Sequence, residues 1–185
     1  MAKLLQIAQL GHPVLRKTAA PIENTKDAAL QCLVEDMLAT VTDVNGVGIA
    51  APQVYESKQI FIISSKPNPR YPLAPDMEPV ALINPEILWK SHEMEKDWEG
   101  CLSIPGIRAM VPRHTAIKIK FTTLENEVVE ASFTDFVARI FQHEFDHLNG
   151  RVFLDRLESN QDIVTEKQFL KIMVQQPDPL VSKQS

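Results

Sequence analysis

Apolar positions along the chain follow two different periods, and the switch between them marks out the elements. Over residues 27–44, Leu30, Leu33, Val34, Met37, Leu38 and Val41 recur three and four apart, the pattern of an amphipathic helix, and Asn45 with Gly46 can cap its end. Phe136, Val137, Ile140, Phe141, Phe145 and Leu148 repeat that spacing, with Thr134 or Asp135 as the opening cap and Asn149 and Gly150 as the stop. Strand patterns appear instead at residues 59–64, 80–84, 86–89, 116–122 and 128–133, the last two joined as a hairpin turning near Glu125 and Asn126. Two helices with mostly antiparallel strands predict an α+β fold, its sheets packed around the later helix and its second long helix near the N-terminus. Five prolines between residues 66 and 79, Pro67, Pro69, Pro72, Pro75 and Pro79, predict a long surface loop, long enough to overhang a neighbouring cleft.

No internal repeat is visible, and residues 1–157 read as one domain followed by a C-terminal extension over 158–185. Within that extension residues 164–174 suit either a short helix or an edge strand, while Pro177 and Pro179 predict disorder over the last nine residues.

The later helix carries the chain's most specific chemistry: His143, Glu144, Phe145, Asp146, His147. Two imidazoles four apart on a helix share one face, with Cβ atoms about 5 to 6 Å apart, close enough to grip one metal ion. Glu144 then stands beside that ion, where a carboxylate can take a proton from water and later return it. A surface helix that happens to hold two histidines is the plainer reading. Phe136 and Ile140 share the face of His143 and should line an apolar wall next to it.

A catalytic ion usually takes three protein ligands, so a third is sought among the other histidines, the cysteines and the carboxylates. Cys32 points away from the apolar stripe of the first helix and reads as a solvent-side thiol without function. Cys101 sits in Glu99, Gly100, Cys101, Leu102, Ser103, Ile104, Pro105, Gly106, where a glycine lets the backbone approach a ligand closely. It is equally suited to a small buried position in a strand, and spacing alone does not choose. A thiolate with two imidazoles would favour zinc or ferrous iron over magnesium or calcium. The small residues at 46, 48, 50 and 51, in the run Gly46, Val47, Gly48, Ile49, Ala50, Ala51, Pro52, Gln53, leave room for an extended peptide to lie against this backbone. No lysine follows them, which argues against a phosphate loop.

These three segments together resemble the peptide deformylase family: a glycine-alanine run ending in glutamine (46–53), Glu-Gly-Cys-Leu-Ser (99–103), and Gln-His-Glu-x-Asp-His-Leu-x-Gly (142–150). The opening Gly11, His12, Pro13, Val14, Leu15, Arg16 is similar to the family's start, and the resemblance spans roughly residues 5 to 157. It implies a metal-dependent hydrolase that removes the formyl group from N-terminal formylmethionine of new polypeptides. By that resemblance Cys101, His143 and His147 hold the ion and Glu144 serves as general base and acid. The Gln53 amide and the Leu102 N–H stabilise the oxyanion. Val47, Gly48 and Gly100 pair with the substrate, and Phe136 and Ile140 form the methionine pocket. Glu99 and Arg113 form a supporting ion pair. The implied metal is ferrous iron, with zinc, nickel or cobalt as substitutes, and the implied partners are N-formylmethionyl nascent peptides. Some relatives dock on the ribosome through a C-terminal helix; the tail here is weakly basic, so that partner stays open. Many members have glycine where Asp135 stands.

Composition supports this frame and trims the alternatives. The 185 residues, 44% hydrophobic and 23% charged, suit one sizeable core, and a net charge of -5 argues against direct nucleic-acid binding. Two cysteines, one needed as a thiolate, together with the lack of a secretory signal or a membrane-length apolar run, lead to the expectation of a cytoplasmic protein with no membrane partner. Arg139, four before His143, reads as the partner of a nearby carboxylate, with a place at the substrate mouth as the alternative, and Asp146 either orients a ligand or pairs with a basic side chain. His12, His92 and His114 read as structural or exposed, and Trp89 and Trp98 as core. The rival reading is a non-catalytic domain that keeps a metal for stability.

Overall fold

The computed structural model describes residues 2–68 and 71–175. Helix α1, Ala28–Asp43, starts where the Asp27 carboxylate accepts the Ala29 N–H and buries Leu30, Val34, Met37 and Val41. Its cap is Val44, one residue earlier than expected; Asn45 takes the left-handed conformation (φ 51°), and the Gly46 N–H donates to the Val41 carbonyl at 2.8 Å.

Among the described residues one antiparallel sheet has the order β1-β2-β3-β6-β7, formed by Gly48–Ala50, Ile60–Ile63, Val80–Lys90, Ala116–Thr122 and Val128–Thr134. The two segments expected at 80–84 and 86–89 are therefore one strand. What separates them in the sequence is an irregularity: register shifts fall between Ile83 and Glu86, and Asn84 has φ 47° while its side chain holds both the N–H and the carbonyl of Ile22. The β6–β7 hairpin forms as predicted, with Asn126 at φ 69° in its turn.

A second sheet, β4 (Met94–Cys101), β5 (Ile104–His114) and β8 (Ile163–Thr165), lies outside the sequence expectation except for the last strand. Residues 164–174 realise both alternatives: an edge strand pairing Arg108 with Val164, then helix α3, Glu166–Gln175. The disorder expected for residues 177–185 lies outside the described residues.

Helix α2, Asp135–Leu148, joins these layers. One side packs Ala138, Ile140, Phe141 and Leu148 on Phe61, Ile63, Leu82, Ile117 and Ile119 of the first sheet. The rest of the helix buries Arg139, Gln142, His143, Glu144, Asp146 and His147, with Arg139, Gln142, His143 and Asp146 bonded to the second sheet and Glu144 against Gly48 of β1, so its polarity is as deliberate as the apolar stripe. Thr134 occupies the cap position without a side-chain cap bond, and Asp135 has φ 50°, a conformation glycine adopts freely. Gly150 ends the run at φ 67°, where a Cβ would lie 2.8 Å from the Arg16 carbonyl.

Candidate active site

The 3.6-residue period of α2 places the His143 and His147 rings 5.2 Å apart, and the turn between β4 and β5 delivers Cys101 to them. Cys101 Sγ lies 3.3 Å from His147 Nε2, and the three residues' ligand atoms all fall within 4.8 Å of one another. A tetrahedral zinc-type site with metal–sulfur and metal–nitrogen bonds of about 2.3 and 2.1 Å separates such donors by roughly 3.5 Å, so the residues present fit a metal ion. Glu99 reinforces the fit. Its carboxylate accepts from His143 Nδ1 at 2.8 Å, which leaves Nε2 unprotonated as a ligand atom. Burial alone would raise the Cys101 thiol, yet the charge and hydrogen bonds of His147 and His143 bring it down to about 5, into the thiolate form a metal requires.

Glu144 stands next to this group without belonging to it. It is 4% exposed, its Oε2 is without a protein partner, and burial pushes its carboxyl up to about 7. Gly48 makes the position possible, since a Cβ there would lie 2.6 Å from Glu144 Oε1. Gln53, also buried, accepts the Ala50 N–H at 2.8 Å, which turns its amide nitrogen to 3.4 Å from Cys101 Sγ and 3.4 Å from Ser103 Oγ. Val47, Gly48, Gly100, Leu102, Phe136 and Ile140 all line the same cleft, as do His143 and Glu144.

A buried web of charge stands behind the ligands. Arg113 holds both oxygens of Glu99 at 2.9 and 3.0 Å and reaches Asp146 at 2.6 Å. Arg139 adds a third partner to Glu99 at 3.0 Å and donates to the Val111 carbonyl, fulfilling the ion-pair expectation for that residue. Arg156 completes Asp146 at 3.0 Å. Burial works against both carboxylates, but Arg113 and His143 hold Glu99 well below the ordinary range, and Arg156 and Arg113 hold Asp146 below it too.

Other parts of the cleft were not foreseen. Trp98, expected in the core, lines the cleft, and Trp89, also expected there, is 54% exposed. Tyr71, Arg108 and Glu166 complete the lining. Tyr71 comes from the proline-rich loop, whose length was the one usable signal; Arg108 and Glu166 had none, because their meeting depends on the β5–β8 pairing. Cys32 is exposed, His12 caps a short turn through its Nδ1, and His114 Nδ1 bonds the Ser91 carbonyl.

A helix-borne histidine pair, a third ligand from a strand turn and a buried carboxylate beside them define a metal-dependent hydrolase on an α+β scaffold. Residues 4–162 match the sequence profile of the family described as Polypeptide deformylase. The chain is 54% identical over 171 residues to peptide deformylase 2 of Nostoc sp., covering 92% of this chain and 96% of that protein. It is 40% identical over 177 residues to peptide deformylase 2 of Shewanella oneidensis, covering 96% and 93%. Among solved structures, the Met-Ala-Ser-bound class I type b peptide deformylase from Acinetobacter baumannii superposes with a TM-score of 0.83 at 48% identity, covering 85% of this chain and 100% of that one. The peptide deformylase from Thermotoga maritima gives 0.75 at 40% identity, covering 84% and 99%. The chain belongs to the polypeptide deformylase family, hydrolases that remove the formyl group from N-terminal formylmethionine.

Proposed function

We propose that deformylation in this chain is carried by Glu144, Gln53 and the Leu102 backbone around a divalent ion held by Cys101, His143 and His147. The observation that carries this reading is the convergence of one sulfur and two imidazoles within 4.8 Å beside a buried carboxylate that is not one of them. An ion bound there lowers the pKa of water to near 7 and polarises a carbonyl oxygen. Glu144 takes the proton from the water that attacks the formyl carbon and delivers it to the departing amine nitrogen, releasing formate and a free N-terminal methionine. Gln53 Nε2 and the Leu102 N–H donate to the oxygen that gains charge, a contribution of about 3 kcal/mol for one such donor. The donor set suits ferrous iron in the cell, with zinc, nickel or cobalt able to replace it.

β1 stands at the margin of the larger sheet, so an extended substrate can add beside Val47 and Gly48 and lie along Gly100. Phe136 and Ile140 then wall the methionine side chain; both line the cleft beside His143. Glu99 and Arg113 position the ligands through His143 and the strand that bears Cys101. Residues 1–157 form the catalytic unit and 158–185 the extension. The substrates are N-formylmethionyl nascent peptides. A reducing cytoplasm is the compartment that keeps Cys101 reduced and free to bind as a thiolate, and among the described residues no helix is long and apolar enough to cross a membrane. Helix α3 carries Glu166, Lys167 and Lys171, too little net charge to argue ribosome docking.

Formate release from formyl-Met-Ala-Ser by wild type and Glu144→Ala tests the reading. The variant should retain its metal and lose about 100- to 10,000-fold in kcat. Equal rates would remove Glu144 as the base, and full metal retention without wild-type turnover would favour a structural metal domain.

A further inference from the structure

The cleft has an outer wall built partly from residues beyond the family match. Glu166 and Phe169 lie beyond residue 162, where that match ends, and helix α3 brings them over the second sheet. Phe169 packs edge-on against Trp98 at 5.3 Å. Below them lies Arg108 of β5, whose Nη2 donates to Glu166 Oε1 at 2.9 Å and whose Nη1 donates to Tyr71 Oη at 3.0 Å. Its guanidinium carbon sits 5.2 Å from the centre of the Phe169 ring. Arg108 also presses on the backbone at Gly100, where an added Cβ would come within 2.6 Å of Nη1.

Exposure divides this ion pair unevenly. The Arg108 side chain is 6% exposed and that of Glu166 is 38% exposed, so the charge presented to a chain entering the cleft is the carboxylate. Gly100 directly precedes Cys101 and touches Arg108, so a substrate whose formyl group lies at Cys101 and whose chain extends about 3.3 Å per residue brings the side chains just after methionine toward Arg108 and Glu166.

We propose that Glu166 is a specificity-determining residue of the C-terminal extension, selecting substrates with a basic rather than an acidic residue after the formylated methionine. This rests on the deformylase reading of the cleft. Glu166 acts in two ways: it attracts positive charge, and it masks a guanidinium that would otherwise attract negative charge. Neutralising it therefore reverses the preference instead of merely weakening it.

Formate release measured on formyl-Met-Lys-Ser and formyl-Met-Glu-Ser, with formyl-Met-Ala-Ser as reference, tests the idea on the full-length, metal-loaded enzyme. Wild type should favour the lysine peptide in kcat/KM by about threefold to fivefold, as expected for one partly exposed charge pair. The preference should shrink as salt is raised. Glu166→Gln should bring the ratio below one, and Glu166→Asp should keep its sign. A purely structural role would lower all three substrates together and leave the ratio where it was, and that result would overturn the proposal. Should Glu166→Gln fail to fold, a wild-type ratio unmoved by salt would overturn it as well. Failure of the underlying reading looks different, because wild type would then not release formate from formyl-Met-Ala-Ser at all.

Discussion

Two arginine–carboxylate clusters flank the Gly100–Cys101 turn, alike in chemistry and opposite in surroundings. The inner one joins Arg113 and Arg139 to Glu99, and Arg113 to Asp146, with each of these side chains under a tenth exposed. The outer one joins Arg108 to Glu166, whose carboxylate is open to solvent. Buried charges of this kind must be matched and hydrogen-bonded on all sides, and Glu99 meets that demand with three partners at once: Arg113, Arg139 and His143. It can therefore fix an imidazole in one orientation. The outer pair is open on one side only: Arg108 is buried, while the Glu166 carboxylate is screened by solvent and remains available to whatever enters. Burial decides whether the same pair sets geometry or sets selectivity.

The sharpest break of this comparison is Arg113→Met. It leaves two buried carboxylates short of a partner and should cost about 3 to 5 kcal/mol of folding stability by urea titration. It should also weaken metal binding by about 10- to 100-fold in a chelator competition, since the support behind His143 is loosened. A loss below 1 kcal/mol, the range of a surface pair, would show that the inner web is not what burial suggests.

Acid separates the clusters next. Glu99 and Asp146 titrate below the ordinary carboxylate range in the folded protein. Their contribution is therefore complete above the unfolded-state values of about 4 and is lost as pH falls through the lower folded-state values. Unfolding free energy followed from pH 6 downward should drop steeply below about pH 4, and Asp146→Asn should flatten that drop. A flat wild-type profile would sink the assignment. The smallest effect is expected for Glu166→Gln, which should change stability by less than about 1 kcal/mol, because the amide oxygen can still accept from the buried Arg108 and Tyr71 Oη still holds its other nitrogen. A larger loss in the same titration would mean that the outer pair also braces the fold.

The same contrast explains what could be read from the chain alone. Helix α2 and the β6–β7 hairpin follow from periodicity because each buries a face it defines by itself. The metal ligands on α2 share that regularity, and Cys101 stood out through its neighbours Gly100 and Pro105. The β4–β5 pair was invisible: Met94 to Asp97 are exposed, and β5 contains Pro105, Gly106 and Pro112, which local propensity counts against a strand. Its stability comes from partners elsewhere, notably Ala109 and Val111 packed with Val152 and Phe153. Tyr71, Arg108 and Glu166 come from a loop, a strand and the extension, and no window of sequence holds two of them.

β1 is only three residues long, with every residue buried, and the chain leaves it at once into a tight turn over Ala51–Val54. A free sheet margin ordinarily invites self-association between copies. An edge of three residues offers few free backbone groups to a neighbour's strand, so its length alone limits how far another copy could pair along it. The same brevity would restrict any added strand to a short stretch, a limit on pairing set by length and not by charge.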